Sequence, residues 1–223
     1  MDSGFSLFNL RFAAYLLIGM VPSLLLHEYA HALVSVRLGD RSPQLYGRLN
    51  FFGLRNPHFF DPFGTGVLPV ILLFAVTAGL AVPPFAYAKP MPRNPGTLRN
   101  PVRDTNLIAL AGPLANLLLA FVAGFALRFV GATELGLFVY AVLLVNATFT
   151  IFYLIPIPGL DGAIIVGSFL SGRAKEVYRG LDQYLPLFML LVIFLIGGPV
   201  TRWVTGIAGA ICELASGVQC FGL

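Results

Sequence analysis

Long apolar runs constrain this chain more than any other feature of its sequence. Hydrophobic residues make up 57% of the 223 residues and charged residues only 11%, whereas a soluble domain carries about 25% charged residues. Several runs approach or exceed the roughly 20 residues that a helix needs to cross a bilayer. They cover residues 12–36, 66–88, 106–130, 135–156 and 184–204, with a shorter run at 163–170.

These runs predict an all-α polytopic membrane protein, multi-pass and integral to the bilayer, with about five to six membrane segments. Within lipid only helices and closed barrels satisfy the backbone hydrogen bonds, and the runs lack the polar alternation of barrel strands. Residues 45–54 are rich in strand formers with partial alternation, which predicts a small β-strand or hairpin element after the first helix. Without an internal repeat or linker, residues 1–223 are expected to form a single domain, with a core at about 12–170 and a C-terminal helix at about 184–204. The net charge of +4 lies in the loops and indicates no nucleic-acid partner.

A five-residue motif, His27-Glu28-Tyr29-Ala30-His31, has the pattern H-E-x-x-H. On a helix, residues four apart face the same way, so both imidazoles can reach one metal ion with the glutamate beside it. Simple helix packing is the alternative, but three ionisable groups within five residues of an apolar helix are costly without a partner. We therefore expect one Zn²⁺ per chain on His27 and His31.

Catalytic zinc takes a third protein ligand and keeps a position open. His58 is one candidate, but it lies in a polar loop. The better candidate is Asp161, which follows an apolar run and the backbone breakers Pro156, Pro158 and Gly159. The same aspartate could instead cap the helix that starts after it; beside the zinc motif we favour ligation.

With these motifs the sequence resembles the site-2 protease family of intramembrane zinc metalloproteases, in its compact prokaryotic branch without PDZ or CBS domains. The similarity lies in the pentad and the residues that follow it up to 40, and in residues 47–49, 61–65, 88–95, 111–116 and 156–162. Tyr153 and Gly159 depart from the branch, which often has Asn and Pro there.

The resemblance implies a protease of the prokaryotic cell membrane that hydrolyses peptide bonds in or near transmembrane segments of membrane-protein substrates. Zn²⁺ would be held by His27, His31 and Asp161, and Glu28 would be the catalytic base. Asn116 and Asn146 would steady the substrate or the developing oxyanion, although amides in a helix bundle commonly just bond between helices.

Two kinds of rival function remain open. A prenyl-protein protease also uses H-E-x-x-H, but with a glutamate as third ligand, and no later glutamate here lies in a recognisable motif. A non-proteolytic membrane zinc-binding protein (an inactive homologue, a chaperone or a transporter) is the alternative from another class. A transporter usually places His and Asp along a path over several helices, whereas this chain has three His in all.

The ligands also constrain topology. The pentad and Asp161 both lie towards the C-terminal ends of their segments but must meet at one depth. Residues 12–36 and 135–156 should therefore run parallel, with 106–130 antiparallel between them. Loops 37–65 and 89–105 each carry four Lys or Arg, so both prefer the cytoplasm. We therefore predict that 66–88 is re-entrant or a broken hairpin.

Overall fold

Three long helices build the centre of the computed structural model, which describes residues 7–50, 57–80 and 82–217. They are α1 (Leu7–Arg37), α4 (Pro101–Val130) and α5 (Glu134–Leu154). Each is long and apolar enough to cross a membrane. Their ends follow from local sequence: α4 starts on a proline and stops at Gly131, whose φ is +56°, and Thr133 caps α5 by accepting from Gly136 N–H.

The three helices are arranged as the ligand spacing predicts. Arg11 at the start of α1 forms an ion pair of 3.1 Å with Glu134 at the start of α5, so these helices run parallel. Early α4 meets late α1, because the ring of His31 contacts the carbonyl of Ile108. Helix α4 is therefore antiparallel to α1.

The remaining helices are shorter or bent. They are α2 (Ser42–Leu45), a π-helical turn (Pro62–Val67), α3 (Leu68–Thr77), a 3₁₀ turn (Pro95–Thr97), α6 (Asp161–Phe169), α7 (Gly172–Gly180), a second 3₁₀ turn (Leu181–Tyr184) and α8 (Leu185–Ser216). Residues 172–192 and 197–216 meet at an angle of 87° and together could form a fourth span.

The expected five to six membrane segments are therefore wrong: the described residues hold three candidate spans, or four with the bent pair. The apolar runs at 66–88 and 163–170 are each too short or too broken as helices to count as membrane segments. Helix α6 has nine residues and is only about 13 Å long. Helix α3 ends at Thr77, and the chain turns at Gly79, where φ is +79°.

The segment 66–88 folds back on itself, as a broken hairpin does. Beyond the turn the chain is non-helical and largely buried over residues 82–88. Its two ends lie together, because Tyr87 N–H donates to the Gly64 carbonyl and Lys89 N–H to the Phe59 carbonyl. Non-helical backbone at membrane depth is tolerated where protein covers it. Re-entry into the bilayer itself stays a prediction.

The predicted β-strand or hairpin element at 45–54 is not supported. Leu45 ends α2, residues 46–49 form turns, and no strand occurs among residues 7–50, 57–80 and 82–217. Residues 51–54 lie outside the described residues. The partial alternation of polar and apolar residues did not indicate a strand here. Arg48 is buried and makes polar contacts inside the protein instead of lying on a solvent-exposed face.

A cluster of aromatic rings forms the core next to the pentad. Phe85 from the non-helical segment is fully buried between rings of α5, 5.8 Å from Phe149, 5.0 Å from Phe152 and 5.4 Å from Tyr153 between centroids. Aromatic pairs at such distances add stability beyond their buried area. They fix the non-helical segment against α5, beside the functional site described next.

Candidate metal centre

His27 and His31 lie one turn apart on α1 and point together towards α4. Both are buried, and their Nε2 atoms are 3.0 Å apart. The fourfold spacing puts the two rings on one face, as the sequence predicts.

The second nitrogen of each imidazole, Nδ1, forms a hydrogen bond on the side of the ring away from Nε2. His27 Nδ1 lies 2.6 Å from Asn116 Oδ1, and His31 Nδ1 lies 2.6 Å from the carbonyl of Ile108. Both partners are acceptors, so each Nδ1 carries the proton and donates it. That tautomer leaves the Nε2 lone pairs free for a metal ion, the usual arrangement behind metal-ligating histidines.

Asp161 reaches the same point from α6. Its Oδ2 atom lies 3.2 Å from Nε2 of both His27 and His31. The alternative role as a helix cap does not apply, because Leu160 is the N-cap residue and no side-chain cap bond forms. Gly162 permits this approach, since a Cβ there would collide with the carbonyl of Leu154.

These three atoms fit a metal ion. The two Nε2 atoms and Asp161 Oδ2 converge as lone-pair acceptors with no proton between them, and Oδ2 has no hydrogen-bond partner among the described residues. Buried acceptors in such contact repel one another unless a cation lies between them. Their spacings of 3.0–3.2 Å approach the roughly 3.3 Å that separates two ligands of a tetrahedral zinc.

Gly112 on α4 leaves the room for such an ion. A Cβ atom built at this position would overlap His31 Nε2, and it would lie 2.5 Å from Cε1 and 2.6 Å from Nε2 of His27. The glycine thus clears the space directly in front of both ligand atoms.

Glu28 lines a small cleft beside the ligands, together with His31, Asp161 and Tyr153. Its Oε2 atom accepts a hydrogen bond of 3.1 Å from Nη1 of Arg48, whose side chain is almost wholly buried. Burial lowers the pKa of Arg48, and the charge of Glu28 opposes that change.

Arg48 also connects the glutamate to the non-helical segment. Its Nη2 atom donates to the carbonyls of Lys89 and Pro90, at 2.5 and 3.3 Å. One guanidinium therefore joins the loop after α1, the pentad and the stretch after residue 88.

Asn116 and Asn146 lie behind His27 rather than in the cleft. Both are fully buried. Asn116 Nδ2 donates to Asn146 Oδ1 at 2.8 Å, and Asn146 Nδ2 donates to Ser23 Oγ at 2.8 Å. Their polar atoms thus form a chain that ends on the His27 ring.

His58, the other candidate ligand, is exposed and its ring contacts that of Tyr46, 4.9 Å away. It is not part of the group formed by His27, His31 and Asp161. Sequence reasoning did not assign roles to Arg48, Gly112 or Tyr153, whose ring packs on His27 with centroids 3.9 Å apart. Arg48 and Gly112 do lie inside stretches that resemble the family, and that signal could have singled them out.

Comparison with known proteins finds relatives over most of the chain. "Putative zinc metalloprotease YwhC" of Bacillus subtilis is 29% identical over 200 residues, covering 85% of this chain and 84% of the relative. "Putative zinc metalloprotease Rip2" of Mycobacterium tuberculosis H37Rv is 31% identical over 212 residues, covering 90% and 73%. The Mycolicibacterium smegmatis protein of the same name is 29% identical over 196 residues, covering 83% and 68%. No family model and no solved structure matches.

Helices of membrane-crossing length around an H-E-x-x-H cluster, with relatives named as zinc metalloproteases, define the class: a multi-pass bacterial membrane metalloprotease. Within that class, the chain belongs to the site-2 protease family.

Proposed function

We propose that this protein is an intramembrane zinc metalloendopeptidase that cleaves membrane-protein substrates in or near their transmembrane segments. The observation that carries the proposal is the convergence of Asp161 with His27 and His31, which lie on a helix long and apolar enough to cross a membrane. His27 lies ten residues from the end of α1 at Arg37, or about 15 Å along the helix. For a helix that ends at the membrane surface, that distance would place His27 about halfway into a hydrocarbon core roughly 30 Å thick.

The chain's own residues have separate parts in this proposal. His27, His31 and Asp161 would hold one Zn²⁺, which would supply Lewis-acid activation of the attacking water and of the peptide carbonyl. Glu28 accepts the proton of the attacking water and returns it to the leaving amine. Arg48 holds Glu28 in place for both transfers.

We propose that Asn116 and Asn146 orient the His27 ring rather than contact the substrate or the oxyanion, the role that the family resemblance implied. Since Asn116 Oδ1 accepts from His27 Nδ1, and Asn146 and Ser23 bond Asn116 in turn, this chain orients the His27 ring. Such partners behind a ligand typically change metal affinity by 10–100-fold.

The substrate must enter in an unwound form. The cleft beside Glu28 has a volume of about 40 Å³, which holds one or two waters but no helix. A helical peptide bond is also shielded by its own turn. The cleft therefore widens to accept a locally extended segment of a single-span membrane protein within the bilayer.

Replacing Glu28 by Gln tests the proposal. The variant is expected to keep its zinc, measured by elemental analysis of the purified protein, and to lose cleavage of single-span membrane substrates, measured by comparing membrane-protein fragments with those of the wild type. Glu213→Gln is the matched control, because Glu213 is exposed on α8, far along the chain from the ligands. Cleavage by Glu28→Gln at the wild-type rate would remove Glu28 as the base. Zinc without any Glu28-dependent fragment would favour a non-proteolytic zinc protein.

A further inference from the structure

A second, larger cavity adjoins the cleft that Glu28 lines. Its volume is about 270 Å³, and it lies between the stretch after residue 89, the start of α4, and helices α6 and α7. Four residues line both spaces: Pro90, Arg93, Gly159 and Ile164. The two spaces thus adjoin closely enough for one polypeptide segment to occupy both.

The lining of this larger cavity, which we call the basic cavity, carries an excess of positive charge. Arg93, Lys175 and Arg179 line it, against the single acid Asp182. None of the three cations donates a hydrogen bond or forms an ion pair within 4.0 Å with any residue that the structure describes. By comparison, Arg48 has three polar partners and Arg103 is paired with Asp104.

Arg93 is the cation at the junction of the two spaces. Burial lowers its pKa, while the charges of Asp161 and Glu28 oppose that change. The Arg93 side chain is half-buried and its guanidinium nitrogens are open to the cavity. A carboxylate there would accept two parallel charge-assisted hydrogen bonds from it. The cavity therefore has a chemical preference for an anion.

The apolar walls suit a side chain rather than a free ion. Ala163 and Gly167 lie four residues apart on α6 and give that face of the helix a small-residue surface, opposite Pro101 and Tyr178. A Cβ at Gly167 would lie 3.7 Å from the Tyr178 ring, in ordinary contact. The volume of about 270 Å³ leaves room for one acidic side chain against these walls, with Arg93 also lining the space.

We propose that the basic cavity binds an acidic side chain, Asp or Glu, of the substrate polypeptide close to the scissile bond, with Arg93 as its main contact and Lys175 and Arg179 as supporting charges. This inference rests on the proposed proteolytic function, and it makes the enzyme selective for substrates with an acidic residue beside the cleaved segment. An anionic lipid headgroup offers the same charge. The peptide is favoured because the cavity shares a wall with the cleft.

Binding measured without cleavage tests the proposal. Three fluorescein-labelled peptides with blocked ends, identical except for a central Glu, Gln or Lys, are titrated into zinc-loaded Glu28→Gln protein in a zwitterionic detergent. We expect the Glu peptide to bind roughly ten- to hundredfold more tightly. Arg93→Gln should remove this difference, Arg93→Lys should retain part of it, and Arg93→Glu should shift preference to a Lys peptide. Arg173→Gln, an exposed arginine on α7 outside the cavity, is the matched control.

Several outcomes would overturn the inference. Equal binding of the Glu and Gln peptides would do so, as would an Arg93→Gln variant that weakens both peptides alike. If phosphatidylglycerol in nanodiscs abolishes the Glu preference, or binds in an Arg93-dependent way when the peptides do not, the cavity is a lipid site. Because no step needs turnover, failure here is distinct from failure of the proposed protease activity, which Glu28→Gln tests by fragment analysis.

Discussion

A single methyl group added at Gly112 is expected to prevent zinc binding. In Gly112→Ala the new Cβ would lie 2.5–2.6 Å from two ring atoms of His27 and overlap His31 Nε2, whereas carbon atoms in contact stay about 3.5–4.0 Å apart. The rings would have to move by roughly 1 Å. Metal sites keep ligand distances within about 0.2 Å, so the displacement exceeds the tolerance severalfold.

We expect the zinc affinity of Gly112→Ala to fall at least about a hundredfold, beyond the range found for changes behind a ligand. Affinity is measured by competition with a fluorescent chelator, with zinc content as a second readout. Alanine favours a helix over glycine by about 1 kcal/mol, so loss of zinc cannot come from a weaker α4. Gly206→Ala on α8 is the control, because nothing lies within 4 Å of a Cβ there. Wild-type affinity in Gly112→Ala would refute the placement of the ion between these ligands.

The two remaining predictions concern the residues that hold the base and the first ligand. Arg48→Gln removes the ion pair with Glu28 while zinc stays bound; because misplacing a catalytic group by about 1 Å can cost a hundredfold in rate, we expect kcat to fall by about that factor with KM and zinc content little changed. A wild-type kcat would show that Arg48 does not position Glu28. Asn116→Leu leaves His27 Nδ1 without its acceptor and should lower zinc affinity about tenfold, measured by chelator competition; unchanged affinity would contradict the orienting role.

The grouping of His27, His31 and Asp161 was predictable because it depends on local geometry. The spacing of His27 and His31 places two rings on one face of any helix, and Asp161 stands out as an acid after a broken apolar run. Helix direction followed from the same residues, since the three ligands have to meet at one depth. These inferences needed no knowledge of which loop packs where.

The number of spans was not predictable in the same way. Hydropathy counts apolar residues, but it does not say whether a run continues in one direction. The run at 66–88 turns at Gly79 and returns as buried, non-helical backbone packed against α5 through Phe85. Burial inside protein makes residues apolar for the same reason that lipid does, and composition alone cannot separate the two.

Arg48 shows most clearly why the rest of the site required the structure. From the sequence it is a loop arginine in a stretch that resembles a strand, yet its guanidinium contacts Glu28, 20 residues earlier, and the carbonyls of Lys89 and Pro90, more than 40 residues later. Those carbonyls reach it only because 66–88 folds back and returns the chain to Phe59 and Gly64. The position of Glu28 therefore depends on the hairpin formed by 66–88 as well as on α1.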